Sequence, residues 1–351
     1  MKKKLLQLLF TVTFCAILLT ACGAREPELM PNPKFEEPGS EQTEPSPDLQ
    51  EPSAEPEENT DSEKYVTVSI DQLKRYMNES YGMMEFAQRL FDNFIVYKSS
   101  SGQYTYVPVN KDLPQSTYDF NNLVNVGSKK VKEFAYIEDG ETRSIKGIDV
   151  SAYQGDIDWE LVASSGVEYV FVRLGYRGYG TGKLVLDEKF EENARGAAEQ
   201  GIGVGVYFVT QAVTPEEAKE EAQFVLDTIK DLEITWPVAL DMEEAASADA
   251  RTALLTNEER TDNCIAFCEE IKKAGYRPML YTHIRWFIEE LQLERLTEYD
   301  KWFAQYFNRP FFPYEFQIWQ YSSTGRIDGI KGDVDYNIRF VDYGNKEAEH
   351  E

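Results

Sequence analysis

Short apolar runs alternate with amphipathic stretches from about residue 145 onward, which predicts strands and helices in alternation. The predicted strands are Lys146 to Val150, Tyr169 to Leu174, Gly203 to Val209, Pro237 to Asp241, Pro278 to Thr282, Lys301 to Gln305 and Gln317 to Tyr321. The predicted helices are Asp187 to Gln200, Thr214 to Lys230 and Asn257 to Ala274. This order is typical of an α/β fold, layered or closed into a β/α barrel. Roughly 200 residues is short for a complete eight-fold barrel, so we expect some helices to be missing or reduced.

Residues 65–141, ahead of this alternation, are predicted to form a small α+β domain. Ser69 and Gln72 have the spacing of a capping box, which predicts that a helix starts at Ser69. Its helical register continues through Leu73, Met77, Met84 and Leu90. Short strands are predicted at Tyr104 to Val109 and at Phe134 to Tyr136. No motif in this domain indicates a particular chemistry.

The first 21 residues have the pattern of an export signal, with three lysines, an apolar stretch and small residues before Cys22. Leu19-Thr20-Ala21-Cys22 resembles a bacterial lipobox, which implies cleavage before Cys22 and diacylglycerol on its sulfur. One acyl chain anchors a protein only marginally, whereas the two or three chains of a lipoprotein anchor it stably. An uncleaved membrane helix and ordinary secretion are the alternatives.

The segment that follows Cys22 is predicted to be a disordered linker that ends at residue 64. It is rich in Glu, Pro and Ser, and residues 23–64 contain 13 acidic and three basic residues. Such a composition buries too little apolar surface to fold. The expected organisation is therefore a signal peptide (1–21), a lipidated cysteine with its linker (22–64), the α+β domain (65–141), the barrel domain (145–343) and a charged tail (344–351). We expect an extracytoplasmic protein, lipid-anchored to the cell membrane.

The composition of the chain indicates that any catalytic chemistry depends on carboxylate side chains. A net charge of −26 argues against a nucleic-acid partner, because phosphate binding needs a positive surface. With only two histidines, a zinc site built from several imidazoles is nearly excluded. Cys264 and Cys268, at i, i+4 spacing, are interpreted as packing residues and imply no disulfide framework. We expect no metal, no cofactor and a monomer.

Acidic residues end two of the predicted strands, Asp149 the first and Asp241 the fourth. In β/α barrels the reactive groups gather at these carboxyl ends. If the strand extends through Glu243, the side chains of Asp241 and Glu243 point to one face. Unequal burial would then keep one acid protonated and its neighbour ionised, which glycosidic hydrolysis requires. An isolated Asp-x-Glu is more often a surface element, but here the apolar run from Trp236 to Leu240 precedes it.

Several motifs in one order resemble glycoside hydrolase family 25, the Chalaropsis-type lysozymes, from Gly147 to Asn337. The matching pieces are Gly147-Ile148-Asp149-Val150-Ser151, Tyr153-Gln154-Gly155, Ile157-Asp158-Trp159, Tyr207, Leu240-Asp241-Met242-Glu243, Tyr281, Trp319-Gln320-Tyr321, Ile327-Asp328-Gly329-Ile330 and Asp333-Val334-Asp335-Tyr336-Asn337. The resemblance implies a modified TIM-like barrel of eight strands with fewer helices. It also implies cleavage of the β-1,4 bond between N-acetylmuramic acid and N-acetylglucosamine in peptidoglycan.

The resemblance also implies roles for single residues. Glu243 matches the general acid, and Asp241 matches the carboxylate that acts as nucleophile or orients the substrate acetamide. Asp149 and Asp335 match two further acids of the groove, which tune its electrostatics and position substrate or water. The aromatic side chains expected to contact sugars are Tyr153, Tyr176, Tyr207, Tyr281, Trp319 and Tyr321. In the family the corresponding strand commonly ends in Thr/Ser-Glu-Gly, whereas this sequence has other residues before Gly175. The substrate contacts of the family at this subsite therefore do not carry over directly.

Three other interpretations fit parts of the sequence. A non-catalytic, wall-attached binding lipoprotein would use the same groove, but the four acids are intact. A solute-capture lipoprotein would share Cys22 and the linker, but a larger, two-lobed domain is expected of it. A chitinase-like glycosidase would carry a longer Asp-x-x-Asp-x-Asp-x-Glu run before Glu243. For residues 65–141 a spacer, a partner-docking unit and a wall-binding module all fit.

The anchor hypothesis is testable by replacing the lipidated sulfur. Cys22→Ser should move the protein from the membrane fraction to the medium, because no acyl chain can then be attached. Cys15→Ser, a matched change within the export segment, should leave the protein with the membranes. Immunoblots of both fractions measure the distribution, and unchanged fractionation of Cys22→Ser would refute the anchor.

Overall fold

The computed structural model describes residues 68–80, 82–128, 131–245 and 247–340. The predicted signal peptide, Cys22 and its linker, and the charged tail (344–351) lie outside the described residues. Among the residues that the structure describes, no helix is both long enough and apolar enough to span a membrane.

The N-terminal region contains two helices and five short strands. They are α1 (Ile70–Glu79), α2 (Gly82–Leu90), β1 (Phe94–Lys98), β2 (Tyr104–Pro108), β3 (Leu123–Asn125), β4 (Phe134–Glu138) and β5 (Glu141–Thr142). Ser69 caps α1 through the predicted capping box with Gln72. The single helix predicted from Ser69 through Leu90 is wrong, because the extended backbone of Ser80 ends α1 and Gly82, at φ 84°, starts α2.

Eight of the next nine strands form a closed barrel. The nine are β6 (Ile145–Val150), β7 (Tyr169–Arg177), β8 (Leu184–Leu186), β9 (Gly203–Val209), β10 (Val238–Asp241), β11 (Pro278–His283), β12 (Asp300–Ala304), β13 (Ile318–Gly325) and β14 (Val334–Arg339). Strands β6, β7 and β9 to β13 are parallel, whereas β14 is antiparallel to both of its neighbours, β13 and β6. Strand β8 extends the sheet as a hairpin on β7 and lies outside the barrel.

The helices between the strands are few and several are short. They are α3 (Trp159–Ser164), α4 (Phe190–Glu199), α5 (Pro215–Ile229), α6 (Asn257–Lys273) and α7 (Ile284–Glu289). Thr214 caps α5 and Pro215 occupies its first turn, as the sequence predicts. The predicted architecture is confirmed: an eight-stranded barrel with fewer helices, preceded by a small α+β region. The hydrophobic pattern alone had not predicted β8, β14, α3 or α7.

Two apolar layers stabilise the barrel, because alternate strand residues point inward and outward. The outward layer packs against the helices and includes Cys264 and Cys268, which are buried and unbridged. The inward layer is mostly aromatic and comprises Tyr169, Phe171, Trp236, Ala239, Met279, Tyr281, Trp302, Ala304 and Ile318. Within it the ring of Tyr169 stacks on Trp236, with 4.1 Å between centroids. Each such buried side chain contributes about 1.5–3 kcal/mol through loss of exposed apolar area.

The N-terminal region packs against the last strands of the barrel and shares its core. The ring of Tyr118 stacks on Phe340 at 4.5 Å, and Phe134 stacks on Trp319 at 5.5 Å. Main-chain hydrogen bonds join the two parts as well, from Ser116 to Pro313 at 2.8 Å and from Glu315 to Pro114 at 3.0 Å. Ring stacking therefore holds the region against β13 and the end of β14, and backbone bonds hold it to the segment that connects β12 to β13.

Close packing inside the barrel requires a glycine beneath the ring of Tyr169. A Cβ atom at Gly147 would lie 2.1 Å from the ring's Cζ. Gly147→Ala should therefore lower the free energy of unfolding by about 1–3 kcal/mol through overpacking. Gly180→Ala, where no atom lies within 4 Å, is the matched control and should be nearly neutral. Urea unfolding of both variants measures the difference, and equal stabilities would contradict this account of the core.

Candidate active site

Four acidic side chains meet in one cavity of about 230 Å³ at the mouth of the barrel. Asp149 lies near the end of β6 and Asp241 is the last residue of β10. Because β14 runs antiparallel to β6, it starts where β6 ends, and Asp335 lies directly opposite Asp149 in the ladder. Glu243 follows β10 by two residues and lines the same cavity. The sequence-predicted acids are thus brought together by three strands.

Asp149 forms the floor of the cavity and is 7% exposed. Its Oδ2 accepts a hydrogen bond from Gln320 Nε2 at 2.8 Å and another from Asn337 Nδ2 at 2.7 Å. Burial and the charge of Asp335 raise the pKa of Asp149 well above its ordinary value, and the two amide donors oppose that rise. The donors therefore offset part of the cost of ionisation, but the pKa stays raised because burial outweighs them.

A second layer of hydrogen bonds fixes the direction of both amides. The indole N–H of Trp302 donates to Asn337 Oδ1 at 2.7 Å, so the Asn337 amide nitrogen must face Asp149. The hydroxyls of Tyr281 and Tyr306 each donate to Gln320 Oε1 at 2.9 Å, which turns the Gln320 nitrogen the same way. The position of the Asp149 carboxylate is thus set by side chains from β11 to β14 and the loop after β12.

Asp241 is 4% exposed, and its Oδ1 has no hydrogen-bond partner among the described residues. Burial raises its pKa well above the ordinary value, and the negative charges of Glu243 and Asp149 raise it further. The guanidinium of Arg173 acts in the opposite direction. A buried oxygen without a donor normally costs about 1–3 kcal/mol. This oxygen is therefore an acceptor whose hydrogen-bonding capacity the described side chains leave unused.

Glu243 is the exposed member of the cluster. Strand β10 ends at Asp241 and does not continue through Glu243, but Met242 N–H still donates to Tyr281 O at 3.0 Å. The Thr282 hydroxyl donates to Met242 O at 2.6 Å. These bonds prolong the strand direction, so Asp241 and Glu243 reach the same cavity. Loss of water within the groove raises the pKa of Glu243 above its ordinary value.

The predicted aromatic residues divide between the groove and the core. Tyr153, Tyr207 and Tyr281 line the cavity with the acids. Tyr153 is 85% exposed, and Arg173 lies 4.9 Å from its ring centre. Tyr176 is exposed at the end of β7, and Arg173 lies 6.0 Å from its ring. Tyr176 lies in a strand, because Gly175 to Arg177 pair with β8.

Trp319 and Tyr321 are not in the groove. Both are buried in the outward layer, where Trp319 stacks on Phe134 and donates its indole N–H to Gln305 O at 2.8 Å. Strand residues alternate between faces, so Gln320 points into the groove and its two neighbours point away. Their predicted contact with sugars is therefore corrected: neither ring has a free face.

Four groove residues were not singled out by the sequence: Arg173, Tyr306, Gln320 and Asn337. Gln320 and Asn337 stand inside the motifs of the resemblance, and both lie at inward-facing strand positions next to a predicted acid. Asn337 could have been identified from the sequence. It is an amide side chain in a strand, two residues from the groove acid Asp335, so both side chains point to the same face. Among the described residues, no group of three or more His, Cys, Asp or Glu side chains is arranged to hold a metal ion.

A barrel with clustered carboxyls at the carboxyl ends of its strands, and aromatic side chains around them, is an arrangement typical of glycoside hydrolases. The family model of Glycosyl hydrolases family 25 matches residues 148–330. The chain belongs to this family and is a glycoside hydrolase.

Comparison with individual proteins gives the same family context. A protein of Escherichia coli named YegX is 29% identical over 217 residues, which are 60% of this chain and 75% of that protein. Lysozyme M1 of Streptomyces globisporus is 27% identical over 206 residues, 56% of this chain and 68% of the other. The autolytic lysozyme of Clostridium acetobutylicum is 25% identical over 192 residues, 54% of each.

Among solved structures, the modular autolysin LytC of Streptococcus pneumoniae aligns with a TM-score of 0.51 and 22% identity. The alignment covers 74% of this chain and 58% of LytC. This likeness shows the fold. The chain spans less than two thirds of LytC.

The titration of Asp335 makes a prediction about stability. Burial, and then the charge of Glu243, raise the pKa of Asp335 to about 6. A carboxyl with a higher pKa in the folded state stabilises the fold while it is protonated. That contribution is full below about pH 4 and is lost as the pH rises through about 6. In Asp335→Asn the side chain is neutral at every pH. The free energy of unfolding of the variant, relative to that of the wild type, should therefore increase as the pH rises from 4 to 7, by no more than about 3 kcal/mol.

Urea unfolding at half-unit pH steps measures this difference. Asp231→Asn, an exposed position after α5, controls for the loss of one negative charge. It should leave the slope of stability against pH unchanged. If the Asp335→Asn and wild-type curves run parallel from pH 4 to 7, the raised pKa is wrong.

Proposed function

We propose that the protein is a muramidase that hydrolyses the β-1,4 bond between N-acetylmuramic acid and N-acetylglucosamine in peptidoglycan. The observation that carries this proposal is the convergence of Asp149, Asp241, Asp335 and Glu243 in one cavity, with Glu243 alone exposed. The family membership limits the reaction class to glycoside hydrolysis. Relatives named lysozymes, at 25% and 27% identity, support peptidoglycan as the substrate.

Glu243 is the general acid in this mechanism. Loss of water raises its pKa above the ordinary value, which increases the fraction that is protonated, and its exposure lets it reach a glycosidic oxygen. It donates its proton to that oxygen as the bond to C1 of the muramic acid breaks. Positive charge then develops at C1 and the ring oxygen, and the surrounding carboxylates stabilise it.

Asp241 is the second carboxylate and acts in one of two ways. As a nucleophile it forms a bond to C1, which water later hydrolyses. As an orienting group it accepts a hydrogen bond from the acetamide N–H, while the acetamide oxygen attacks C1 and water opens the resulting ring. The second way is supported by the position of Asp241 in the cavity lining, where an acetamide N–H bonded to its carboxylate would favour the ionised form. In both ways the water returns a proton to Glu243.

Asp149 and Asp335 do not react with the glycosidic bond. They set the electrostatic potential of the groove and position substrate or water. Asp149 is held in one position by its two amide donors, which partly offset the effect of burial on its pKa. The negative charge that Asp149 carries when ionised raises the pKa of Asp241. In the same way the charge of Glu243 raises the pKa of Asp335. The aromatic side chains Tyr153, Tyr207 and Tyr281 line the same cavity and fit contact with sugar rings.

The place of action that we propose is the outer face of the cell membrane. The lipobox-like Leu19-Thr20-Ala21-Cys22 and the acidic segment after it support a tethered enzyme. A tether favours work on the wall of the producing cell.

A single isosteric substitution tests the role of Glu243. Glu243→Gln keeps the shape of the side chain but cannot donate the acidic proton, so activity should fall by about 10²–10⁴-fold or more. Clearing of a peptidoglycan suspension and mass spectrometry of the released fragments measure the rate and the bond cleaved. Thermal unfolding checks that the fold is intact.

Glu216→Gln, at an exposed position of α5, is the control and should retain full activity. Equal activity in wild type and Glu243→Gln would remove Glu243 from the mechanism. A wild type that binds peptidoglycan but releases no reducing ends of muramic acid would favour the binding-lipoprotein alternative.

A further inference from the structure

A second cavity, of about 380 Å³, adjoins the groove and shares Glu243, Tyr281 and Tyr306 with it. One side is formed by the barrel and the loop after β12, with His283, Arg285 and Phe307 among its residues. The other side is formed by the N-terminal region, through Met84 of α2 and Val96, Tyr97 and Lys98 of β1. This N-terminal wall lies outside the segment matched by the family model. We call this cavity the annex.

The N-terminal wall is fixed to the barrel next to the general acid. Ile95, Val96 and Tyr97 are buried, and the amide of Gln88 donates to Val96 O within the region. The hydroxyl of Tyr97 forms a hydrogen bond with Glu289 at the end of α7. The wall is therefore a preformed surface with defined contacts, as ligand sites usually are.

The annex differs in charge from the groove. The groove contains four carboxyls and one arginine, whereas the described lining of the annex contains two cations, Lys98 and Arg285, with Glu243 as its sole acid. His283 adds no charge near neutral pH, because burial lowers its pKa to about 4. Arg285 is held by Glu244 at 2.8 Å and by Glu289 at 3.7 Å. Lys98 is exposed, lies 5.5 Å from the ring of Tyr104 and forms no ion pair with a described residue. In a chain of net charge −26, this cation faces a cavity that continues from the groove.

The substrate has one anionic part beside the scissile bond. Muramic acid carries a lactyl ether whose carboxylate is either free or extended by a peptide with carboxylates of its own. N-acetylglucosamine lacks this group. The apolar and aromatic side chains of the annex suit the carbon skeleton of such a substituent, and Lys98 suits its charge.

We propose that the annex is a subsite for the carboxylate-bearing lactyl or lactyl-peptide substituent of muramic acid, with Lys98 as the residue that meets its charge. This inference rests on the proposed muramidase function and extends it to substrate selection. The N-terminal region is then part of the substrate site. It gives the enzyme a preference for strands that carry this anionic group.

Kinetics with three soluble substrates test the subsite on the full chain. The substrates are glycan strands with their peptides, strands stripped to the free lactyl carboxylate, and stripped strands whose lactyl carboxylate is converted to a neutral methylamide. Lys98→Glu should raise KM for the anionic strands about threefold to tenfold and leave kcat nearly unchanged, because an exposed charge pair acts on binding alone. Lys98→Arg should restore the wild-type KM.

Lys219→Glu is the matched control, because it makes the same change of net charge on the exposed side of α5. An effect of Lys98→Glu on peptide-bearing strands alone identifies the peptide carboxylate as the ligand. An effect on stripped strands alone identifies the free lactyl carboxylate, and an equal effect on both anionic substrates shows that either carboxylate can occupy the subsite. If Lys98→Glu matches Lys219→Glu on all three substrates, or weakens the neutral strands equally, the subsite is overturned while the muramidase function stands.

Calorimetric binding separates this proposal from the failure of the function itself. Peptide-bearing strands are titrated into Glu243→Gln protein, with and without Lys98→Glu. Weaker binding in the double variant supports the subsite even if the wild type proves to be catalytically inert. Equal binding by the two proteins, measured where binding is detectable, contradicts the subsite directly.

Discussion

The concentration of carboxyl groups at one end of the barrel is the constraint on which the rest of the site depends. Asp149 and Asp335 are direct neighbours in an antiparallel ladder, where like charges destabilise the pairing. Asp241 and Glu243 add two more acids in the same cavity. All four cannot be ionised together at low cost in a partly dehydrated groove, so protons must be shared among them. Proton sharing is what an acid catalyst requires near neutral pH.

The hydrogen-bond network around Asp149 fixes the position of this carboxyl and the directions of the amides that bind it. The Trp302 indole can only donate, so it fixes the orientation of Asn337, and the hydroxyls of Tyr281 and Tyr306 fix Gln320. Two donors then converge on one oxygen of Asp149. These bonds offset part of the cost of ionising Asp149, but burial still keeps its pKa well above the ordinary value. At Glu243 it is loss of water that raises the pKa. The aromatic interior of the barrel supplies the stability that this cluster removes.

Much of the barrel was predictable because its strands are buried on both faces and appear as continuous apolar runs, such as Val204 to Val209. Asp149 and Asp241 were found because each terminates such a run. The antiparallel strand β14 was not predicted, since polar residues such as Asp335 and Asn337 interrupt its apolar pattern. The prediction put Trp319 on the groove-facing side of its strand, which is wrong. The sequence of a strand shows that side chains alternate between two faces, but it does not show which face points into the barrel. The polar residue Gln320 holds that inner position.

The contribution of the N-terminal region to the cavity beside Glu243 could not be predicted from the sequence, because it depends on long-range packing that no motif marks. The backbone of the region bonds to the segment between β12 and β13, and Lys132 bonds to Asn308 in the same segment. That segment also contributes Tyr306, which belongs to both cavities and bonds to Gln320. The N-terminal wall, Glu243 and the network around Asp149 are therefore connected through one loop. A preformed attachment of this kind avoids the entropy cost of ordering a mobile lid when substrate binds.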